Sequence, residues 1–257
     1  MTKRTLDGRT AVFKHGAGRG TKATQPEEGI NDAMAPPGRT GFIIAAAALL
    51  SLPAVGLIVD WGGLAWADER ALLLLRAQDG NGGFVPGPRW LTQFLTDLTA
   101  LGGISLLAPI TLVISAYLWA TGRPHTGLFL TLTVATGWLL SRALKSLYDR
   151  ARPEAVPHLV EVSSASFPSG HAMNSAIVYL TLAAILAEGR EQPTKRQFLY
   201  LTAVALVFLI GLSRLYLGVH YPTDVLAGWS FGAGWAILCW IAASRFREGS
   251  PPHLLRN

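Results

Sequence analysis

The stretch Ser213–Asp224, SRLYLGVHYPTD, decides the fold. One apolar run closes on Ser213-Arg214, a short turn carries His220, and Pro222 and Asp224 open a second run. Proline has its φ fixed and no N–H to lose, so Pro222 suits the first position of a helix. His220 then stands just outside that helix and Asp224 in its first turn, from which a carboxylate reaches back to one imidazole nitrogen. The other nitrogen keeps its lone pair outward, as a nucleophile or base requires. Taken alone, the segment reads as a His–Asp capping contact; its neighbours change that reading.

Half of the 257 residues are apolar, only 15% are charged and eight are tryptophan. Soluble chains carry charge on about a quarter of their positions. Six apolar runs make the difference: Gly41–Val59, Leu98–Ala120, Thr126–Leu147, Ala172–Ala187, Phe198–Leu217 and Val225–Ser244. Most approach the roughly 20 residues that cross a bilayer core, where only helices or closed barrels satisfy the backbone. The expected fold is all-α, a six-transmembrane-helix bundle over residues 41–244. A disordered basic cytoplasmic tail is expected at 1–40 and a cytoplasmic C-terminal tail at 245–257.

The net charge of +6 follows the membrane and gives no nucleic-acid face. With six spans, both termini share a side with the loops 121–125 and 188–197, and that side holds 14 of the 22 Lys and Arg residues. Arg70, Arg76, Arg89, Arg142, Lys145, Arg150, Arg152 and Arg214 fall on the other side. The positive-inside rule therefore places both termini in the cytoplasm, with a bacterial inner membrane as the default host. Cys239 is the single cysteine and can form no intramolecular disulfide.

The first outer loop, about 60–97, is expected to hold a short amphipathic helix, Ala67–Ala77, resting on lipid headgroups, and then the turn GNGGFVPGPRW. A lid over the site is the alternative. Trp61, Trp66 and Trp90 suit the membrane interface, and Asp97 reads as an N-cap or first-turn residue of the second span. Ala65-Trp66-Ala67 resembles a signal-peptidase site, but the preceding tail and apolar run are both too long for a signal peptide. Gly228 and Gly232 form a GxxxG suited to close packing inside the bundle.

Charges then converge on the outer side. KSLYDRARP places Lys145 and Arg152 seven residues apart, two turns that would set both on one helix face before Pro153. In FPSGH, Ser169 is a natural N-cap, Gly170 lets a ligand approach the backbone, and His171 lies in the first turn of a helix. Arg214 is buried in an apolar run, a costly position that normally faces a partner or a cavity. Three cations, a helix N-terminus and two histidines on one leaflet make a phosphate site equipped with a nucleophile and an acid.

The set KxxxxxxRP, PSGH and SRxxxxxHxxxD resembles the type 2 phosphatidic acid phosphatase family, in the superfamily that includes vanadium haloperoxidases. All eleven fixed positions match: Lys145, Arg152, Pro153, Pro168, Ser169, Gly170, His171, Ser213, Arg214, His220 and Asp224. The motifs cover about 145–224, and the span layout extends the likeness to about 41–244. The resemblance implies a membrane-bound lipid phosphatase in which His220 is the nucleophile, forming a phosphohistidine, and Asp224 holds its tautomer. It implies His171 as the acid that protonates the leaving oxygen and then as the base for water. Lys145, Arg152 and Arg214 are implied as phosphate ligands, helped by Ser169 and the Gly170 N–H.

The expected substrate is a membrane lipid phosphate or pyrophosphate at the outer leaflet: phosphatidate, lysophosphatidate, phosphatidylglycerophosphate or undecaprenyl pyrophosphate. The sequence has no HExxH, no cysteine cluster and no acidic pair at ligand spacing, so metal-independent turnover without a cofactor is expected. The rival readings use the same residues: a lipid phosphotransferase, a vanadate-dependent haloperoxidase, or a lipid-binding protein without catalysis.

Overall fold

The computed structural model describes residues 63–74, 77–78, 84–85 and 87–248, together with positions 43, 46, 47 and 56. Most of the first expected span, Trp61, the tail at 1–40 and residues 249–257 lie outside them. Seven helices are described: α1 (Ala65–Leu74), α2 (Arg89–Ala100), α3 (Ile104–Ala120), α4 (Pro124–Tyr148), α5 (Gly170–Ala187), α6 (Pro193–Tyr216) and α7 (Pro222–Glu248). Prolines open α4, α6 and α7, where a missing N–H costs nothing because the first turn has no intrahelical acceptor. The last helix runs through Glu248, while the membrane-length apolar stretch within it ends at Arg245.

Helices α4 to α7 are each long and apolar enough to cross a membrane, and α2 with α3 makes a fifth crossing if the bent pair is one span. The protein is thus an integral membrane protein with four or five crossings among the described residues. The sixth expected crossing, Gly41–Val59, falls on residues that are largely not described.

The architecture is helical, as expected, apart from one two-residue ladder between α1 and α2, where β1 (Ala77–Gln78) pairs antiparallel with β2 (Phe84–Val85), Ala77 opposite Val85. Expectations for the outer-loop helix and for Asp97 are corrected. The helix expected at Ala67–Ala77 runs from Ala65 to Leu74. Asp68 and Leu72 are buried while Trp66 and Leu74 are exposed, because Asp68 is drawn inward by polar partners on α7 and the loop after α4. Asp97 caps nothing: it sits in the body of α2 and accepts a hydrogen bond from Gln93 Nε2 at 2.9 Å.

The span expected at Leu98–Ala120 is carried by α2 and α3, which meet at a bend of 44°. Space explains the bend. A Cβ on Gly102 would lie 2.5 Å from Ile210 Cγ2 and 3.2 Å from His171 O, so only glycine lets the chain cross α6 and the start of α5 so closely. Tyr179 Oη donates to Leu101 O at 2.9 Å, satisfying a carbonyl that the break releases.

Helix α5 is the hub, packed most extensively against α7 and α6. Its inward residues are small or flexible, including Ala172, Met173, Ser175 and Ala176, and all are buried. The GxxxG of α7 serves this contact. A Cβ on Gly228 would come 2.7 Å from Ser169 O, and one on Gly232 would collide with Met173 O. The close approach fixes the start of α5 against the start of α7. Gly232→Val should therefore destabilise the bundle by about 1–3 kcal/mol, the usual cost of overpacking. A lowered unfolding midpoint in detergent checks this; an unchanged one contradicts it.

Candidate active site

The site is assembled from helix ends. Helix α4 stops at Tyr148, where Asp149 adopts a left-handed φ of 38° and its N–H bonds Lys145 O at 3.0 Å. Arg152 consequently lies in the loop beyond α4, and the expectation that one helix face aligns it with Lys145 is corrected. The left-handed residue ends the helix four residues before Pro153 could. Lys145 and Arg152 nonetheless line one cavity of about 210 Å³, together with Gly170, His171, Arg214 and His220.

Neutral acceptors tether the three cations. Lys145 Nζ donates to Ala165 O at 2.5 Å. Arg152 Nε donates to Ser164 O at 2.7 Å and its Nη1 to Val219 O at 2.6 Å. Arg214, 3% exposed, gives Nη1 to Thr99 Oγ1 at 3.0 Å, while its Nε is buried without a hydrogen-bond partner among the described residues. No carboxylate holds any of the three among the described residues, so their charge stays available to a ligand.

His220 is buried in the turn before α7, with Nδ1 3.5 Å from Asp224 Oδ2 and Nε2 3.5 Å from Arg152 Nη1. The pair stands as expected, but Ser166 stands with it: its Oγ donates to Asp224 Oδ2 at 2.5 Å and lies 3.4 Å from His220 Nδ1. Tyr221 N donates to the same Oδ2 at 2.9 Å. Burial pushes the His220 imidazole down to about 3; Asp224 pulls the other way, while Arg214 and Arg152 add to the fall. Burial thus favours the neutral form of the ring near pH 7.

Ser169 occupies the N-cap position of α5 but makes no capping hydrogen bond, which corrects the expectation. Its backbone N–H instead donates to Asp224 O at 2.9 Å, and its Oγ is buried without a partner among the described residues. A buried hydroxyl left unpaired costs about 1–3 kcal/mol. Arg214 lines the three-cation cavity, and its unpartnered Nε fits an anion that accepts from it; Ser169 lies one residue before the lining residue Gly170 and does not itself line the cavity.

Sequence reasoning missed the polar groups behind this cavity. Arg150 Nη1 donates to Asp224 Oδ1 at 2.6 Å and to Thr223 Oγ1 at 2.9 Å, and its Nη2 reaches Asp68 Oδ2 at 2.8 Å. Asp68 also accepts from Thr223 N at 3.1 Å and Thr223 Oγ1 at 2.6 Å. Burial opposes the charge of Arg150, but Asp224 and Asp68 outweigh it and hold its pKa above the usual range. A signal did exist: Arg150 is an outer-side cation two residues from Arg152, and Asp68 is an acid beside an apolar stretch. Asn174, one turn after His171, also lines the cavity and was not singled out.

Comparison with known proteins agrees with this geometry. The profile of the PAP2 superfamily matches residues 126–248. Phosphatidylglycerophosphatase B of Bacillus subtilis is 41% identical over 144 residues, 56% of this chain and 70% of that protein. A lipid A 1-phosphatase of Rhizobium johnstonii is 30% identical over 128 residues, covering 46% of this chain and 48% of its own length. The crystal structure of a transmembrane PAP2-type phosphatidylglycerolphosphate phosphatase from Bacillus subtilis superposes with a TM-score of 0.68 and 32% identity, over 81% of this chain and 98% of that one. Likeness in sequence and in architecture over nearly the whole of a solved relative goes beyond a shared fold: the chain belongs to the PAP2 superfamily of membrane phosphatases.

Proposed function

We propose that this phosphatase removes a terminal phosphate from a membrane lipid through a phosphohistidine on His220, with phosphatidylglycerophosphate as the first substrate to test. One observation carries the reading: a buried imidazole stands at a cavity lined by three cations that no carboxylate among the described residues neutralises. The substrate choice rests on likeness in sequence and in structure to a Bacillus subtilis phosphatase named for that lipid. The outer leaflet is proposed from the distribution of Lys and Arg, which sets both termini in the cytoplasm.

In this reading Lys145, Arg152 and Arg214 neutralise the phosphoryl oxygens, and Ser169 Oγ and the Gly170 N–H complete their coordination. His220 Nε2 attacks phosphorus in line as the P–O ester bond breaks. His171 gives its proton to the departing lipid oxygen. Water then attacks the phosphohistidine, His171 takes its proton, and the P–N bond breaks to release phosphate. Phosphoryl transfer depends mainly on positioning and charge stabilisation, which fixed cations supply without a metal. Asp224 steadies the imidazole as it becomes cationic, with Ser166 and Tyr221 N fixing the carboxylate.

Two outcomes follow. Detergent-purified protein should release phosphate from phosphatidylglycerophosphate in EDTA, and His220→Ala should lower the rate by at least about 10³-fold. Loss of activity in EDTA with recovery in Mg²⁺ would contradict the metal-independent step. Phosphatidate, lysophosphatidate and undecaprenyl pyrophosphate assayed in parallel identify the substrate.

The second outcome concerns pH. A folded-state value of about 3 lies below the roughly 6.5 of an unfolded histidine, so between the two the unfolded chain binds more protons. The stability owed to the neutral ring is complete above about pH 6.5 and is lost as pH falls toward 3. Unfolding midpoints between pH 7 and 4.5 should fall more steeply for the wild type than for His220→Asn. Parallel curves would show the ring titrates normally.

A further inference from the structure

Asp68 and Arg150 lie outside the eleven motif positions and outside the cavity lining, yet Arg150 bonds the Asp224 carboxylate from behind and Asp68 bonds Arg150. Asp68, on α1, is 2% exposed and Asp224, on α7, is fully buried. Arg150 bridges them across 82 residues on one side and 74 on the other. The face of the guanidinium is covered by the Tyr221 ring, 4.1 Å from its carbon to the ring centroid. Thr223 closes the set, bonded to Asp68 through both its N–H and its hydroxyl.

We propose that Arg150 and Asp68 are a positioning pair for His220, acting through Asp224. This rests on the reading of His220 as nucleophile. Arg150 occupies Asp224 Oδ1, leaving Oδ2 as the oxygen beside the imidazole. Asp68 anchors Arg150 and the first turn of α7 together. It also sets the charge. Arg150 alone would cancel Asp224, and the imidazole that becomes cationic on phosphorylation would face no net counter-charge. A second carboxylate returns one negative charge to the group. The other charged groups around the ring are Lys145 from α4, Arg152 from the following loop and Arg214 from α6, all positive, with His171 from α5 across the cavity. The Asp68–Arg150–Asp224 trio is thus the only net negative group set against them among the described residues.

The experiment compares Arg150→Met, Arg150→Lys and Asp68→Asn with wild type and His220→Ala in the full-length detergent-purified protein. Turnover of the active lipid, competitive inhibition by inorganic phosphate and thermal unfolding are measured for each. A positioning role lowers kcat by about 10- to 100-fold in Arg150→Met and Asp68→Asn, as loss of the group behind a working imidazole does. KM and the phosphate inhibition constant stay within about threefold of wild type, because Lys145, Arg152 and Arg214 are untouched. Arg150→Lys recovers part of the loss, and adding Arg150→Met to Asp224→Asn lowers kcat little further. The proposal is overturned if both variants keep wild-type kcat while His220→Ala is inactive. It is also overturned if kcat and phosphate inhibition vanish together, since that marks collapse of the cavity. If Arg150→Met does not fold, Asp68→Asn decides on the same readouts. Wild-type turnover in His220→Ala would instead sink the nucleophile reading beneath it.

Discussion

Like charges held close together in a poorly solvated cavity repel, and the rest of this structure depends on keeping three of them in place. Lys145, Arg152 and Arg214 are held by backbone carbonyls and a threonine hydroxyl, groups that orient a cation without neutralising it. Arg150 is treated the opposite way: it is locked between two carboxylates and kept out of the cavity. The fold thus sorts its cations by what anchors them. Those with neutral tethers keep a positive field for an incoming anion, and the one with acidic partners becomes part of the frame.

Such tethers work only if the elements carrying them cannot move apart. The site draws on the ends of α4 and α6, the starts of α5 and α7, and the bend between α2 and α3. Glycines set the spacing: Gly228 and Gly232 bring α7 onto α5, and Gly102 lets the bend pass over His171. In lipid, where helices gain little from hiding apolar surface against one another, such close packing carries much of the cohesion. The loop 149–166 is pinned too, through Ser166 N to Arg150 O at 2.8 Å and Leu159 N to Leu217 O at 3.0 Å.

Much of this was legible in the sequence because it is local or periodic. Helices α4 to α7 announce themselves as apolar runs opened by proline, serine or glycine, and the motif residues fall at their ends. The convergence of Lys145, His171, Arg214 and His220 follows from alternating spans alone. Long-range choices were not legible. Nothing in YDRARP says that Asp149 takes a left-handed conformation and throws Arg152 off the helix. The Gly102-Gly103 pair was visible, but its bend depends on Ile210 and His171, which arrive from other helices. Ser169 carries every local mark of a capping residue and forgoes the bond. Asp68 falls in the helix expected at Ala67–Ala77, and its partner Arg150 lies 82 residues away, beyond the reach of any local pattern.

The unpartnered Ser169 hydroxyl and Arg214 Nε bear on more than recognition. Three like charges and two donors without a partner among the described residues are costs that the packing of the helix ends must offset. An anion seated in the cavity adds its own binding free energy to folding, by RT ln(1 + [L]/Kd). Each catalytic round would then carry the scaffold from tension to repose and back. Durability of the protein and occupancy of its site become two readings of one quantity.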